Sequence, residues 1–230
     1  MEQELNIFEQ GQMMLIDKPL HWTSFDVVRK LRGLVRTRKI GHAGTLDPLA
    51  TGLLILCTGK YTKRINDYMA QEKEYTGTIT LGASTPTYDL ESERVALRDP
   101  SFVTQAMVEE VIAGRFTGEI MQIPPAHSAI KVGGKRVYEL ARKGVEVKLE
   151  ARRVVIKEFA VTRFQSPDVE FRVVCTTGTY IRSLANDLGA ALGCGGYLSA
   201  LRRTRIGEYT VEQAMTMEAA QKYIENIFPG

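Results

Sequence analysis

One carboxylate in this sequence is set apart by its neighbours. Asp47 lies in Gly41-His42-Ala43-Gly44-Thr45-Leu46-Asp47-Pro48-Leu49-Ala50-Thr51-Gly52, just ahead of the apolar run Leu53-Leu54-Ile55-Leu56. Glycines let a backbone approach something closely or take positive φ. Pro48 fixes its own φ and pushes Asp47 toward extended geometry, so the acid should project from a rigid loop instead of opening a helix. A carboxylate on such a loop, with a buried strand behind it, is placed for reaction; an Asx-turn is the plainer reading of the same residues. A second charged group stands out at Arg182, in the first turn of the helix that Gly178-Thr179 opens. A cation there opposes the helix dipole, so an anion should stand close to it.

The elements that must position these groups follow from periodicity. Met13–Ile16 and Leu53–Cys57 read as buried strands, the second of them central. Thr23-Ser24 caps a helix on which Phe25, Val28 and Leu31 recur at helical spacing. Thr62–Tyr68 reads as a helix and Glu72–Gly82 as a strand. Thr104 caps a helix that packs Met107, Val108, Val111, Ile112 and Phe116. Pro124-Pro125, a short strand, the Gly133-Gly134 turn and a helix carrying Val137, Tyr138, Leu140 and Ala141 to a cap at Gly144 form a basic excursion. Val154–Phe164 and Val169–Cys175 form a hairpin around Ser166-Pro167-Asp168. Ile181, Leu184, Leu188 and Leu192 give the last large helix its buried stripe. Tyr197–Ile206 is the last strand, and a short helix starts at Thr216.

Composition excludes several classes. The 230 residues suit one large domain or two small ones and can bury a sizeable core. Three widely spaced cysteines and three histidines have no metal-ligand spacing, so no metal, cofactor or disulfide framework is expected. Gly59-Lys60 lacks the glycine six residues earlier and the following Ser or Thr of a phosphate loop. The N-terminus lacks a signal-peptide pattern and no apolar run reaches membrane length, which points to a cytoplasmic, reducing location. The net charge of +3 is mild. The cations cluster, however, at 29–39, at Lys131, Lys135, Arg136, Arg142 and Lys143, and at Arg202, Arg203 and Arg205. Each cluster taken alone reads as a solvated face; three beside separate motifs lean toward a polyanion.

The stretch from Gly41 to Leu54 resembles the signature of the tRNA pseudouridine-55 synthases, the TruB family. Lys18-Pro19 with Thr23-Ser24, the segment Thr85–Ser92, Gly178-Thr179-Tyr180-Ile181-Arg182-Ser183-Leu184 and Leu198–Thr204 resemble further motifs of that family, so the likeness covers nearly the whole chain. Three positions depart from the pattern: His21 and Ser92 stand where glycine is usual, and His127 where tyrosine or phenylalanine is more usual. If position 21 needs positive φ, histidine fits it less well than glycine.

The resemblance implies an α+β pseudouridine synthase fold, a long mixed and mostly antiparallel sheet with helices and loops around a central cleft. It implies a single catalytic domain over 1–230 with an RNA-gripping insertion around 122–150 and no C-terminal PUA domain. The implied reaction isomerises uridine to pseudouridine at position 55 in the T arm of tRNA. The glycosidic bond breaks, the uracil turns, and its C5 joins the ribose C1′. Asp47 is implied as the essential acid and Arg182 as the cation that keeps it ionised, against the upward push of burial on its pKa. Tyr75 would stack on the base and serve the C5 proton. Tyr180 and Leu201 would wall the pocket, and His42 would support the flipped nucleotide. Lys18 is an RNA or structural contact, or a solvated turn lysine. His127, Lys131, Lys135, Arg136, Arg142 and Arg202 would meet RNA. The base must leave its stack at a cost of a few kcal/mol. The expected partner is the T stem-loop of tRNA, bound by a monomer with no obligate protein partner. Nucleophilic attack by Asp47 and removal of the ribose C2′ proton both remain open. An RNA-binding or RNA-folding module whose catalysis is secondary or lost is the alternative of a different class.

Overall fold

The nine residues Ala50–Thr58 form a strand that is buried along almost its whole length. Its run of branched and unbranched aliphatics suits a strand covered on both faces. In the computed structural model, which describes residues 6–126, 131–132, 135–136 and 149–228, this strand organises the first of two compact units. That unit comprises residues 1–75 and 201–230, and residues 76–200 make the second.

In the first unit Met13–Lys18 runs antiparallel to the central strand, with Leu15 opposite Ile55 and Lys18 opposite Gly52. Ile40–His42 pairs antiparallel with its far end, and Leu201–Arg203 pairs parallel with its start. The sheet is therefore mixed. Side chains alternate across it, as the period of two requires. Leu54 and Leu56 pack with Met14, Ile16 and the helices Ser24–Arg32 and Met217–Ile227. Leu53, Ile55 and Cys57 face the other way, onto Ala43, Tyr68, Ile206 and Val211. Thr23 caps the first of these helices through a reciprocal box with Asp26. Val27, Val28 and Leu31 form its buried stripe; Phe25, expected in that stripe, is exposed, with the Arg32 guanidinium 5.9 Å from its ring centre. The helical face is thus rotated by about one residue from the expectation. After the central strand a 3-10 turn, Gly59–Arg64, leads into the short helix Ile65–Ala70.

In the second unit the strand Arg152–Gln165 pairs antiparallel with Asp168–Cys175 through the expected hairpin, and with Gly118–Gln122. The helix Gln105–Arg115 is capped by Thr104 and buries Val108 and Ile112. The helix Ile181–Ala191 buries Ile181, Leu184 and Leu188 as its stripe predicts. Two strands, Lys73–Leu81 and Gly196–Ile206, contribute residues to both units. The latter is not the last strand: Tyr209–Thr210 folds back on its end. Mostly antiparallel strands with helices outside regular βα alternation make this an α+β fold.

Within the basic excursion, Lys131–Val132 and Lys135–Arg136 form a two-stranded ladder. His127, Arg142 and the helix expected between Val137 and Gly144 lie outside the described residues. No described helix is long and apolar enough to cross a membrane.

Candidate active site

Asp47 occupies an irregular loop and is partly buried, as the preceding-proline rule requires. The loop is held from several directions within its own unit. Ser24 Oγ accepts from the Leu46 amide at 2.8 Å and donates to the Leu46 carbonyl at 3.2 Å. The Ala50 amide donates to the Asp47 carbonyl at 3.0 Å, closing the turn around Pro48. The His21 amide donates to the Pro48 carbonyl at 2.8 Å. His21 itself sits at φ 66°, the left-handed conformation in which a glycine would be unstrained.

Lys18 lies beneath this loop. Its side chain is fully buried, and its Nζ donates to the carbonyls of Pro19 at 2.9 Å and Trp22 at 2.5 Å. The solvated-lysine reading is therefore overturned, and the structural one of its alternatives is supported. Burial pulls its pKa down to about 8; the Asp47 carboxylate pulls the other way, and Arg203 adds to the depression. Asp47 thus has a buried cation of its own unit within electrostatic reach.

Arg203 is the residue that the sequence reading did not single out. It is 1% exposed. Its Nε donates to the Leu53 carbonyl at 2.8 Å and one terminal nitrogen to the Gly44 carbonyl at 3.1 Å. The rest of its basic cluster is also engaged. Arg202 forms a two-pronged pair with Asp17, at 3.0 and 2.8 Å, in place of a free cationic face. Arg205 pairs with Glu72 at 2.8 Å. Leu201 is brought beside Ala50, three residues after Asp47, by the parallel register of the two strands.

His42 ends the strand that leads into the loop and is partly buried. Burial holds its imidazole below the ordinary value, Arg203 pushes in the same direction, and the nearby Gly44 backbone opposes them. The ring is therefore neutral at pH 7. Tyr75 lies in the strand Lys73–Leu81 and is 9% exposed.

In the second unit Arg182 is buried in the first turn of its helix. The anion that the helix dipole calls for is present: Asp89, also buried, has a carboxylate oxygen 3.7 Å from Arg182 Nε. A terminal nitrogen of Arg182 donates to the Thr87 carbonyl at 3.1 Å. The loop that carries Asp89 is closed by Ser92, whose Oγ accepts from the Thr87 amide at 3.1 Å. The serine that replaces a usual glycine thus supplies a brace. Tyr180 precedes the helix. Its amide donates to Gln122 Oε1 at 2.8 Å, Gln122 Nε2 donates to its carbonyl at 3.0 Å, and the Arg152 guanidinium lies 4.7 Å from its ring centre.

Comparison with known proteins places the chain in a family. Residues 32–181 match the profile of the TruB family pseudouridylate synthase N-terminal domain, and residues 182–226 match the tRNA pseudouridylate synthase B C-terminal domain. The tRNA pseudouridine synthase B of Flavobacterium johnsoniae is 49% identical over 223 residues, covering 94% of this chain and 97% of that one. The protein of that name in Parabacteroides distasonis is 50% identical over 224 residues, covering 95% of each. Among solved structures, a Cbf5-Nop10-Gar1 complex contains a chain similar at TM-score 0.73 and 30% identity. An H/ACA RNP bound to a substrate RNA containing 2'-deoxyuridine gives 0.71 and 28%. Each likeness covers 95% of this chain and 55% of the solved one. With 150 of its residues in the first profile alone and half its positions shared with full-length relatives, the chain belongs to the TruB family of pseudouridylate synthases.

Proposed function

We infer that this protein converts uridine to pseudouridine in tRNA, at the position-55 uridine of the T stem-loop, with Asp47 as the reacting carboxylate. The observation that carries the reading is the support of the Asp47 loop: a partly buried acid on a turn clamped from both ends, with the buried ammonium of Lys18 beneath it. Fixed positive charge favours the ionised acid where burial alone would neutralise it. An ionised carboxylate is what either route requires, whether it attacks as a nucleophile or removes the C2′ proton. Arg182, held by Asp89 and Thr87, is the second cation assigned to Asp47. Tyr75 holds the base by its face and serves the C5 proton. Tyr180 and Leu201 form walls of the uridine pocket. His42, neutral and set at the loop's edge, supports the extruded nucleotide without adding charge.

The whole chain acts as one catalytic domain, with residues 122–150 as the arm that grips RNA through Lys131, Lys135, Arg136 and Arg142 and stacks His127. Arg202 enters this set only by leaving Asp17. The enzyme works as a cytoplasmic monomer. The experiment is to incubate purified protein with an unmodified tRNA transcript and map pseudouridine by chemical modification and primer extension. A single new pseudouridine in the T loop is expected. Unmodified RNA under conditions where the protein binds tRNA would support the RNA-folding module instead.

A further inference from the structure

We propose that Arg203 is a positioning residue for pseudouridine formation: one buried guanidinium ties the two ends of the Asp47 loop together and so fixes where the carboxylate stands. The inference rests on the assignment of Asp47 as the reacting acid.

The geometry is specific. Gly44 precedes Asp47 by three residues and Leu53 follows it by six, and Arg203 donates to the carbonyls of both. Main-chain carbonyls cannot swing away as side chains do, so each bond restrains backbone. The strand that carries Arg203 is itself in register with the loop's exit, Arg203 lying opposite Gly52. Gly52 has φ +104°, and a Cβ there would come within 2.3 Å of the Arg203 carbonyl oxygen. A Cβ on Gly44, at φ +94°, would approach the Arg203 guanidinium to 3.5 Å. Gly52 therefore serves to admit the Arg203 backbone as well as to turn the chain, while the Gly44 position lies at ordinary contact distance from the guanidinium. A guanidinium presents several donors in a rigid planar fork, which a lysine's single ammonium cannot reproduce. Lysine at 203 keeps the charge but lacks the separate Nε and terminal donors that meet the Leu53 and Gly44 carbonyls, so it is expected to tie the loop less firmly.

Arg203 need not touch RNA for this to matter. Displacing a reacting group by about 1 Å can cost on the order of 100-fold in rate while leaving binding intact. A residue that only stabilised the fold would lower the melting temperature without changing the rate of the folded fraction.

The test is Arg203→Lys, with Arg203→Gln as a second variant, measured by single-turnover pseudouridine formation, tRNA affinity by filter binding, and thermal melting. The expected result for R203K is a rate lower by on the order of 100-fold, with tRNA affinity within about threefold and a cooperative melt retained. A rate within about threefold of the unaltered protein, or rate and affinity falling in parallel, overturns the inference. Loss of cooperative melting in both variants also overturns it, because the guanidinium would then hold the unit and not the loop. An unaltered protein that forms no pseudouridine overturns the functional reading beneath it; a fast R203K overturns this inference alone.

Discussion

Replacing Lys18 by methionine should change how stability depends on pH. The side chain is fully buried, and its ammonium is solvated by the carbonyls of Pro19 and Trp22. Burial lowers its pKa from 10.5 in the unfolded chain to about 8 in the folded one. Between those values the unfolded chain binds more protons than the folded chain, so stability rises with pH through the window. Below about 8 the cost of burying the charge is present in full; above about 10.5 it is gone. At about 1.4 kcal/mol per pH unit, the window corresponds to about 3 kcal/mol. Methionine has a similar length and no proton to lose, so Lys18→Met removes this component and leaves the other titrations of the chain in place. The assay is urea unfolding of both proteins between pH 7.5 and pH 10.5, compared as a difference so that the rest cancels. The unaltered protein should gain about 3 kcal/mol on the variant across that range. A difference that stays flat would show that Lys18 keeps an ordinary pKa, and the buried cation beneath Asp47 would have to be abandoned. The same substitution should slow pseudouridine formation at pH 7.5, because it removes positive charge facing Asp47.

Three further outcomes follow from the same geometry. Gly52→Ala should lower the urea midpoint by an amount equivalent to roughly 1–3 kcal/mol from the backbone alone, and by more once the contact with the Arg203 carbonyl is included. A midpoint unchanged from the unaltered protein would refute the close strand approach. Asp89→Asn should leave Arg182 with a weaker anchor and reduce the single-turnover rate by roughly 10-fold or more, with tRNA affinity little changed; equal loss of both would place Asp89 in RNA binding instead. The His42 imidazole should titrate below 6.5 by NMR, and Arg203→Gln should raise that value, since the guanidinium helps to depress it. Because the folded ring has the lower pKa, its contribution to stability is lost as pH falls below 6.5. An His42 titration at or above 6.5 would contradict its burial.

Much of the molecule was legible from spacing. The central strand, the Thr23 and Thr104 caps, the helix that begins around Thr216 and the stripe Ile181, Leu184, Leu188 were read correctly because local propensity and burial agree there. The loop of Asp47 was legible because proline restricts the backbone, and glycine frees it, whatever the tertiary context. The positive φ at His21 was expected only as a condition on the turn, and the structure meets that condition with histidine.

What escaped was burial of cations. Arg202, Arg203 and Arg205 read as one basic cluster, yet the three side chains go to Asp17, to main-chain carbonyls and to Glu72. Partners 133 to 185 positions away leave no local pattern. One signal was present for Lys18: Met14, Ile16 and Lys18 alternate on the buried face of their strand, and period-two alternation would have placed the lysine with the two apolar residues. The Phe25 error is of the opposite kind. Its spacing with Val28 and Leu31 is helical, but Val27 competes for the same stripe and wins it.

The most direct measurement is pseudouridine mapping with Asp47→Asn, a near-isosteric change that removes the charge and replaces one acceptor oxygen by an amide donor. Purified unaltered protein and variant are incubated with the same tRNA transcript, and binding is measured in parallel. The account predicts a T-loop pseudouridine with the unaltered protein, none with the variant, and tRNA bound by both. A variant that forms pseudouridine at the unaltered rate would contradict it, and the reacting group would have to be sought elsewhere in the chain.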